Sequence, residues 1–326
     1  MDPLVALVGP TASGKTAVGV ALAGLLGAEI VSADAVAVYR GLDIGAAKPD
    51  AAERAAARFH LIDVADPAHD FNVHDFVAAA EEAVAGIRGR GRLPLIVGGT
   101  GLYVRPMTAT LSLPPVAPDP EIRARLADEA ERIGVAALHA RLAEIDPVSA
   151  ERIHPGDLRR IVRALEVHAA TGRTLTDFHT PEGVHGIPRP GATTVGIERG
   201  REDLAARIEA RVDAMMAAGF VDEVRGLLEA GVDPGSKAMS SLGYRHLIQY
   251  LVDGRPLDEV VDELKRDTRR YAKRQRSWFR NDPSVRWVEV REDEPPTETA
   301  GRIADLLRAM GAPVHAANDP QDRGNE

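Results

Sequence analysis

The sequence contains no cysteine among its 326 residues. Disulfide bonds, cysteine-ligated zinc sites and thiol nucleophiles are therefore excluded. Aromatic residues are scarce, at 4% of the chain, so the core must be built mainly from Ala, Val, Leu and Ile. No apolar run approaches the roughly 18 residues of a membrane-spanning helix. Because a basic, apolar leader is also lacking, we expect a cytoplasmic protein without a membrane partner.

An excess of positive charge is lacking too. The chain has 40 basic and 49 acidic residues, which gives a net charge of −9. A globally acidic protein is not an obvious nucleic-acid binder, so any such role must come from local basic patches. Apolar residues at 44% and charged residues at 27% are typical of a globular chain and exclude wholesale disorder.

Short apolar runs alternate with helical patterns in the first hundred residues. We predict strands at 4–8, 29–33, 59–64 and 93–97, and helices at 16–26 and 76–88. This alternation predicts an α/β fold in which helices flank a parallel sheet.

Two segments rich in helix breakers, 113–120 and 180–191, enclose a mostly helical block with helices at 121–142 and 158–170. A strand at 193–198 is expected to return to the first sheet, followed by helical segments at 201–230 and 257–280 and a last strand at 286–290. We therefore predict an α/β core from 1–113 and 191–312, an inserted helical subdomain at 114–190, and a loose tail at 313–326.

A phosphate loop is the clearest motif. It has the pattern G-x-x-x-x-G-K-[ST] and lies directly between a predicted strand and a predicted helix, as in P-loop NTPase-like folds. Its backbone N–H groups and the helix N-terminus would bind a polyphosphate, with Lys15 on the terminal phosphates and Thr16 on Mg²⁺. The motif does not distinguish ATP from another polyphosphate. Its residues are Gly9, Pro10, Thr11, Ala12, Ser13, Gly14, Lys15 and Thr16.

Two further strand ends carry candidate functional residues. Asp34 follows the second strand and Thr100 lies in the glycine-rich stretch after the fourth. Since ligands of open α/β sheets bind beyond the carboxyl ends of the strands, both should lie beside the phosphate loop. Asp34 could hold Mg²⁺ through water, act as a general base, or only cap a helix.

The chain resembles the tRNA dimethylallyltransferases from about residue 4 to residue 290. The resemblance rests on GPTASGKT at 9–16, SAD at 32–34, YRGLDIGAAKP at 39–49, VGGTGLY at 97–103, RIHPGDLRRIVRALE at 152–166 and YAKRQRSWFR at 271–280. That family moves an isopentenyl group from dimethylallyl diphosphate to N6 of the adenosine beside the anticodon. The resemblance implies that the phosphate loop holds the diphosphate leaving group.

The resemblance also implies roles for single residues. Lys15 and Arg211 would neutralise the leaving diphosphate, Thr16 would help to bind Mg²⁺, Asp34 would accept a proton from the adenine N6 amine, and Thr100 would lie near the target base. The implied tRNA contacts are Asp34, Ala35, Val36, Ala37, Thr100, Arg123, Arg159, Arg160, Ile161, Val162, Arg163, Ser240, Ser241, Leu242, Gly243, Tyr244, Arg245, Thr268, Arg269, Arg270, Tyr271, Ala272, Lys273, Arg274 and Gln275.

The chain departs from the family pattern beside the proposed base. The family usually has Asp-Ser-x-Gln-x-Tyr where this chain has DAVAVY at 34–39, so a Ser and a Gln are replaced by Ala35 and Ala37. Ala46 replaces a usual Thr. The proposed base, lysine and magnesium ligand are all retained.

One segment reverses the charge of the whole chain. Residues 265–280 contain eight basic residues and one acid, with Tyr271, Trp278 and Phe279 interleaved. Arginines beside aromatic side chains suit phosphate contacts and base stacking, although a charged run is ordinarily a solvated helix face. No histidine pair has the spacing of metal ligands, and we expect His60, His154 and His246 to be structural.

The sequence is compatible with two other functions. A small-molecule or nucleotide kinase would use the phosphate loop and Asp34, but it needs no basic helix. A non-catalytic RNA-binding module would leave the phosphate loop unexplained. We favour the prenyltransferase and expect a monomer.

Overall fold

The computed structural model describes residues 3–110, 114, 116–178 and 186–312. The chain forms two compact units, one of Met1–Thr108 with Pro188–Glu326 and one of Ala109–Ile187. The second unit overlaps the insertion predicted at 114–190. That this insertion contacts tRNA stays a prediction. The tail predicted at 313–326 lies outside the described residues.

A six-stranded sheet organises the first unit. The strands of the chain are β1 Leu4–Val8, β2 Ala28–Ala33, β3 Phe59–His60, β4 Leu93–Gly98, β5 Ala109–Thr110, β6 Ile187–Pro188, β7 Ala192–Glu198 and β8 Arg286–Glu289. The strand order of the large sheet is β3-β2-β4-β1-β7-β8, and every neighbouring pair is parallel. The parallel sheet predicted from the alternating pattern is therefore confirmed, including the return of the strand near residue 193. β5 and β6 form a separate two-stranded sheet.

Helices flank the sheet and fill the rest of the chain. The helices before the second unit are α1 Lys15–Leu26, α2 Ala51–Ala56, α3 Val73–Gly89 and α4 Gly101–Thr108. The second unit contains α5 Pro120–Ile133, α6 Val135–Ile145, α7 Pro147–Arg152 and α8 Leu158–Thr171, followed by a 3₁₀ turn at Thr176–Phe178. The helices after it are α9 Arg201–Ala217, α10 Phe220–Glu229, α11 Tyr244–Leu251, α12 Leu257–Arg280 and α13 Pro296–Ala309.

The sheet is covered on both faces because successive side chains of each strand point to opposite sides. Leu7 of β1 packs with α1 and α13, where Leu22 and Leu307 are fully buried. Val8, the next residue along, packs on the other face with Phe76 of α3 and Tyr103 of α4. This is the three-layer arrangement of P-loop NTPase-like folds, as predicted.

Three predicted elements differ from the observed ones for backbone reasons. The continuous helices expected at 121–142 and 201–230 are each divided in two at a glycine with positive φ, Gly134 at 88° and Gly219 at 92°. The strand expected at 59–64 ends at His60, because Leu61 and Asp63 have positive φ values of 62° and 61°. Such dihedrals cannot continue a helix or a strand.

The second unit has its own apolar core, in which Leu126, Leu138, Leu142 and Ile161 are buried against one another. Among the described residues, no helix combines the length and apolar character needed to cross a membrane.

Candidate active site

The phosphate loop connects β1 to α1 at the carboxyl edge of the sheet, as its position in the sequence predicts. Ala12 and Gly14 have positive φ values of 62° and 90°. The first turn of α1 contains no acidic residue, and no side chain caps it. Its free N–H groups and the helix dipole therefore favour an anion at this point.

A cavity of about 630 Å³ opens beside this loop. It brings together residues from seven separate stretches of the chain, all in the first unit. Of the predicted catalytic residues, Lys15, Asp34 and Arg211 line it, whereas Thr100 does not. Its lining also includes Thr11, Ala12, Gly14, Thr16, Ala37, Lys48, Gly99, Arg207, Tyr271 and Gln275.

Two partly buried cations, Lys15 and Arg211, line this cavity. The Lys15 ammonium group donates a hydrogen bond to the Pro10 carbonyl oxygen at 2.6 Å. Burial, followed by the nearby positive charge of Arg211, lowers the pKa of Lys15 from 10.5 to about 7, and Asp34 opposes the shift. Burial likewise lowers the pKa of Arg211. Since one carboxylate leaves two cations partly uncompensated, the site is suited to a multiply charged anion.

The Asp34 carboxylate is oriented by the backbone that follows it. Its Oδ1 accepts hydrogen bonds from the N–H groups of Val36 at 2.8 Å and Ala37 at 3.2 Å. Among the described residues, none donates a hydrogen bond to Oδ2. Burial, followed by the negative charge of Asp34, raises the pKa of Tyr271 to about 12. The carboxylate is therefore fixed through one oxygen, and its other oxygen can accept a proton from a substrate.

The second glycine loop, residues 98–101, packs directly against the end of β2, which Asp34 follows. A Cβ atom on Gly98 would overlap the Ala33 carbonyl oxygen, and one on Gly101 would overlap the Trp278 indole. Thr100 accepts a hydrogen bond from the Ala35 N–H at 3.2 Å through Oγ1. Thr100 therefore supports the backbone beside the proposed base.

The basic run predicted at 265–280 is confirmed as part of one helix, α12. The two faces of that helix differ. Thr268, Ala272 and Gln275 are buried, whereas Arg270, Lys273 and Arg274 are exposed. Tyr271 is intermediate, and the Arg274 guanidinium lies 5.8 Å from the centre of its ring. Arg269 pairs with Glu209 at 2.8 Å.

The candidate contacts at 240–245 are held against α10. Tyr244 is fully buried and its hydroxyl donates to Glu223 at 2.6 Å, while Gly243 is also buried. Arg245 is exposed and pairs with Asp267 at 2.6 Å. Ser240 is exposed, and Ser241 and Leu242 are partly exposed.

In the second unit, the predicted tRNA contacts fall into two groups. Arg159 and Arg160 are exposed, with Arg160 near Asp157 at 3.4 Å. Arg123 and Arg163 both bind the buried carboxylate of Glu166, each at 2.8 Å. The side chains of Ile161 and Val162 lie in the core of this unit.

Sequence reasoning did not identify Glu223, which organises one wall of the cavity. Its carboxylate accepts hydrogen bonds from the backbone N–H groups of Asp43, Ile44 and Gly45 at 3.0, 2.6 and 3.2 Å. This holds the loop that places Lys48 at the cavity. Glu223 is distant in sequence and lies in no motif, so no local signal marks it.

Two arginines that hold the phosphate loop were also not identified. Arg207 donates to the Ala12 carbonyl oxygen at 3.2 Å, and Arg199 donates to the Ser13 carbonyl oxygen at 3.0 Å. Arg207 precedes Arg211 by four residues in α9. That spacing puts the two side chains on one helix face, which is a signal the sequence did contain.

One histidine and two acids, His246, Glu263 and Asp267, also form a cluster, in which the possible metal-ligating atoms lie within 4.8 Å of one another. Arg245 pairs with Asp267 at 2.6 Å and Arg255 pairs with Glu263 at 2.8 Å. Arginines therefore already compensate both carboxylates. His60 Nε2 donates a hydrogen bond to the Glu29 carboxylate at 2.7 Å.

Comparison with known proteins gives consistent matches. The family model described as "IPP transferase" matches residues 37–282, and "Isopentenyl transferase" matches residues 3–69. The tRNA dimethylallyltransferase of Symbiobacterium thermophilum is 48% identical over 306 residues, which cover 94% of this chain and 95% of the relative. That of Roseiflexus castenholzii is 50% identical over 319 residues, 98% of this chain and 99% of the relative.

Solved structures agree. The tRNA isopentenylpyrophosphate transferase of Bacillus halodurans is 38% identical, with a TM-score of 0.69 over 95% of this chain and 98% of that one. A eukaryotic dimethylallyltransferase, at 22% identity and a TM-score of 0.78 over 96% of this chain and 81% of that one, shares the fold. Since the family model spans most of the chain and relatives are about half identical along nearly all of it, the chain belongs to the IPP transferase family.

Proposed function

We propose that this protein is a tRNA dimethylallyltransferase. It transfers the dimethylallyl group of dimethylallyl diphosphate to N6 of adenosine 37, next to the anticodon, in tRNAs that read codons beginning with U. The observation that carries the proposal is the cavity that is lined by the phosphate loop, by the partly buried cations Lys15 and Arg211, and by the Asp34 carboxylate.

The residues of this cavity suit each part of such a reaction. The N6 lone pair forms the new C–N bond to the allylic carbon while the C–O bond breaks and its electron pair leaves with the diphosphate. Lys15 and Arg211 stabilise the charge on that leaving group. Asp34 takes the proton that N6 loses, through the oxygen that is free of backbone hydrogen bonds. An aromatic amine is a weak nucleophile, so positioning and proton removal are both required.

The donor set of the loop suits Mg²⁺. The Thr16 hydroxyl and the oxygens of a bound diphosphate are hard ligands, which magnesium prefers over nitrogen or sulfur. The buried Ser13 hydroxyl also has no hydrogen-bond partner. Thr16 would hold the ion, which when bound neutralises charge on the diphosphate.

The exposed cations supply the electrostatic attraction that RNA needs. Arg270, Lys273 and Arg274 lie on the open face of α12, and Arg159 and Arg160 are exposed on α8. These side chains form positively charged surface on a chain whose net charge is −9. A base in the anticodon loop must be flipped out of its stack to reach a carboxylate inside a cavity. We infer that the protein acts as a monomer in the cytoplasm.

The experiment is a transfer assay with labelled dimethylallyl diphosphate and unmodified tRNA, run in parallel with labelled ATP. We expect label in the tRNA from the allylic diphosphate, none from ATP, and loss of transfer in Lys15→Ala. A kinase, which the family relationship does not favour, would transfer label from ATP instead. Transfer of neither label by the wild-type protein would contradict the proposal.

A further inference from the structure

Gln275 lies on the buried side of α12, although the family resemblance implies that it contacts tRNA. It is only 8% exposed. Its Oε1 accepts a hydrogen bond from the Thr11 N–H at 2.7 Å, and its Nε2 donates to the Gly99 carbonyl oxygen at 3.0 Å. Both polar atoms of the amide are therefore used within the protein.

These two bonds join two separate loops. Thr11 belongs to the phosphate loop and Gly99 to the second glycine loop, and both residues line the cavity. The fit is close, because a Cβ atom on Gly99 would overlap Nε2 of Gln275. Only a side chain that accepts at one end and donates at the other can satisfy both backbone groups.

The phosphate loop needs such external support. Ala12, which follows Thr11, has a φ of 62°, a left-handed conformation that is strained for an alanine. Side chains hold three consecutive loop residues: Gln275 binds Thr11, Arg207 binds Ala12, and Arg199 binds Ser13. The loop is thus held by bonds from distant parts of the chain.

We propose that Gln275 is a positioning residue for diphosphate binding rather than a contact for tRNA. Through Thr11 it fixes the backbone of the phosphate loop, and through Gly99 it fixes the distance to the second glycine loop. This proposal rests on the proposed function, because that function makes diphosphate the ligand of the loop. Its test does not depend on the transfer reaction, since it measures only the binding of an anion to the phosphate loop.

The test compares Gln275→Glu, Gln275→Ala and the matched control Ser277→Ala, an exposed position on the same helix. The probes are inorganic diphosphate with Mg²⁺, measured by calorimetry, and unmodified tRNA, measured by filter binding. Glutamate keeps the shape and can accept from Thr11, but at neutral pH it cannot donate to Gly99. We expect both Gln275 variants to raise the Kd for diphosphate about tenfold, as loss of a buried hydrogen bond does, while the tRNA Kd changes less than about twofold.

A double-mutant cycle gives a second, independent readout. Gly99→Ala alone should weaken diphosphate binding, since its methyl group displaces the Gln275 amide. In the Gln275→Ala background, Gly99→Ala should cause little further loss of diphosphate affinity, because the Gln275 amide that its methyl group would overlap is gone. The nearest remaining atom is then the Gly9 carbonyl oxygen, 3.1 Å from the new Cβ atom. Thermal unfolding of every variant identifies any that does not fold.

Several outcomes would overturn the proposal. Weaker tRNA binding with unchanged diphosphate binding would make Gln275 an RNA contact. Additive effects of Gly99→Ala and Gln275→Ala would show that the two residues act separately. Unchanged binding of both probes in Gln275→Glu would show that the hydrogen bonds of Gln275 do not fix the positions of the two loops. Failure of the proposed function instead appears as wild-type protein that binds diphosphate and transfers no dimethylallyl group.

Discussion

Lys15 should take up a proton when the active site binds a diphosphate. In the ligand-free protein, burial and the Arg211 cation lower the pKa of Lys15 to about 7. A bound diphosphate supplies the compensating negative charge and raises that pKa again. Binding and protonation are therefore linked, and the affinity for diphosphate should fall as the pH rises through 7.

The size of the effect follows from that pKa. With a ligand-free pKa of about 7, roughly 0.1 of the Lys15 side chains are unprotonated at pH 6 and roughly 0.9 at pH 8. If the pKa of Lys15 in the complex exceeds about 9, Lys15 is almost fully protonated there. Binding of diphosphate should then add roughly 0.1 proton to Lys15 at pH 6 and roughly 0.9 proton at pH 8. The affinity should change by at most about tenfold per pH unit in the same interval.

Calorimetry in buffers of different ionisation enthalpy measures the number of protons taken up. Lys15→Met is the matched control, because the protons exchanged by the diphosphate itself are common to both proteins. The wild type minus Lys15→Met difference should rise from roughly 0.1 proton at pH 6 to roughly 0.9 at pH 8. A difference near zero at pH 8 would refute the reasoning, because Lys15 would then be protonated before the ligand binds.

Three further predictions concern catalysis, RNA binding and stability. Asp34→Asn should lower kcat by roughly 10²–10⁴-fold with little change in the tRNA Kd; recovery of the rate by excess Mg²⁺ would instead make Asp34 a metal-shell residue. Replacing Arg270, Lys273 and Arg274 together by Gln should weaken tRNA binding and reduce its log–log salt slope by about 0.7–0.9 per lost phosphate contact, whereas parallel slopes would mean that they touch no phosphate. Hydrogen bonding to Arg90 lowers the pKa of Glu29 from 4.5 to about 2, so its stabilisation is present above pH 4.5 and is lost as the pH falls through 2. Glu29→Gln should therefore lower the free energy of unfolding at pH 7 by about 1–3 kcal/mol, with a gap from wild type in urea titrations that narrows below pH 4.5.

The backbone around the phosphate loop was predictable because its causes are local. A short apolar strand, glycines that permit positive φ, and a helix-forming run follow one another from residue 4 to residue 26. The parallel sheet then puts Asp34 and Gly99 at the same edge as that loop, since the carboxyl ends of parallel strands coincide. Local pattern and strand direction were therefore enough to predict the α/β core and the cavity that contains Lys15 and Asp34.

Contacts between residues far apart in sequence were decided only by the tertiary structure. Gln275 lies within a strongly basic run, and nothing local distinguishes it from its exposed neighbours; it is buried because α12 packs that face against both glycine loops. Arg123 and Arg163 look like free cations in sequence, but the folded second unit pairs both with Glu166. A charge pattern predicts that a helix is amphipathic, whereas the packing of that helix determines which polar groups remain available to a ligand.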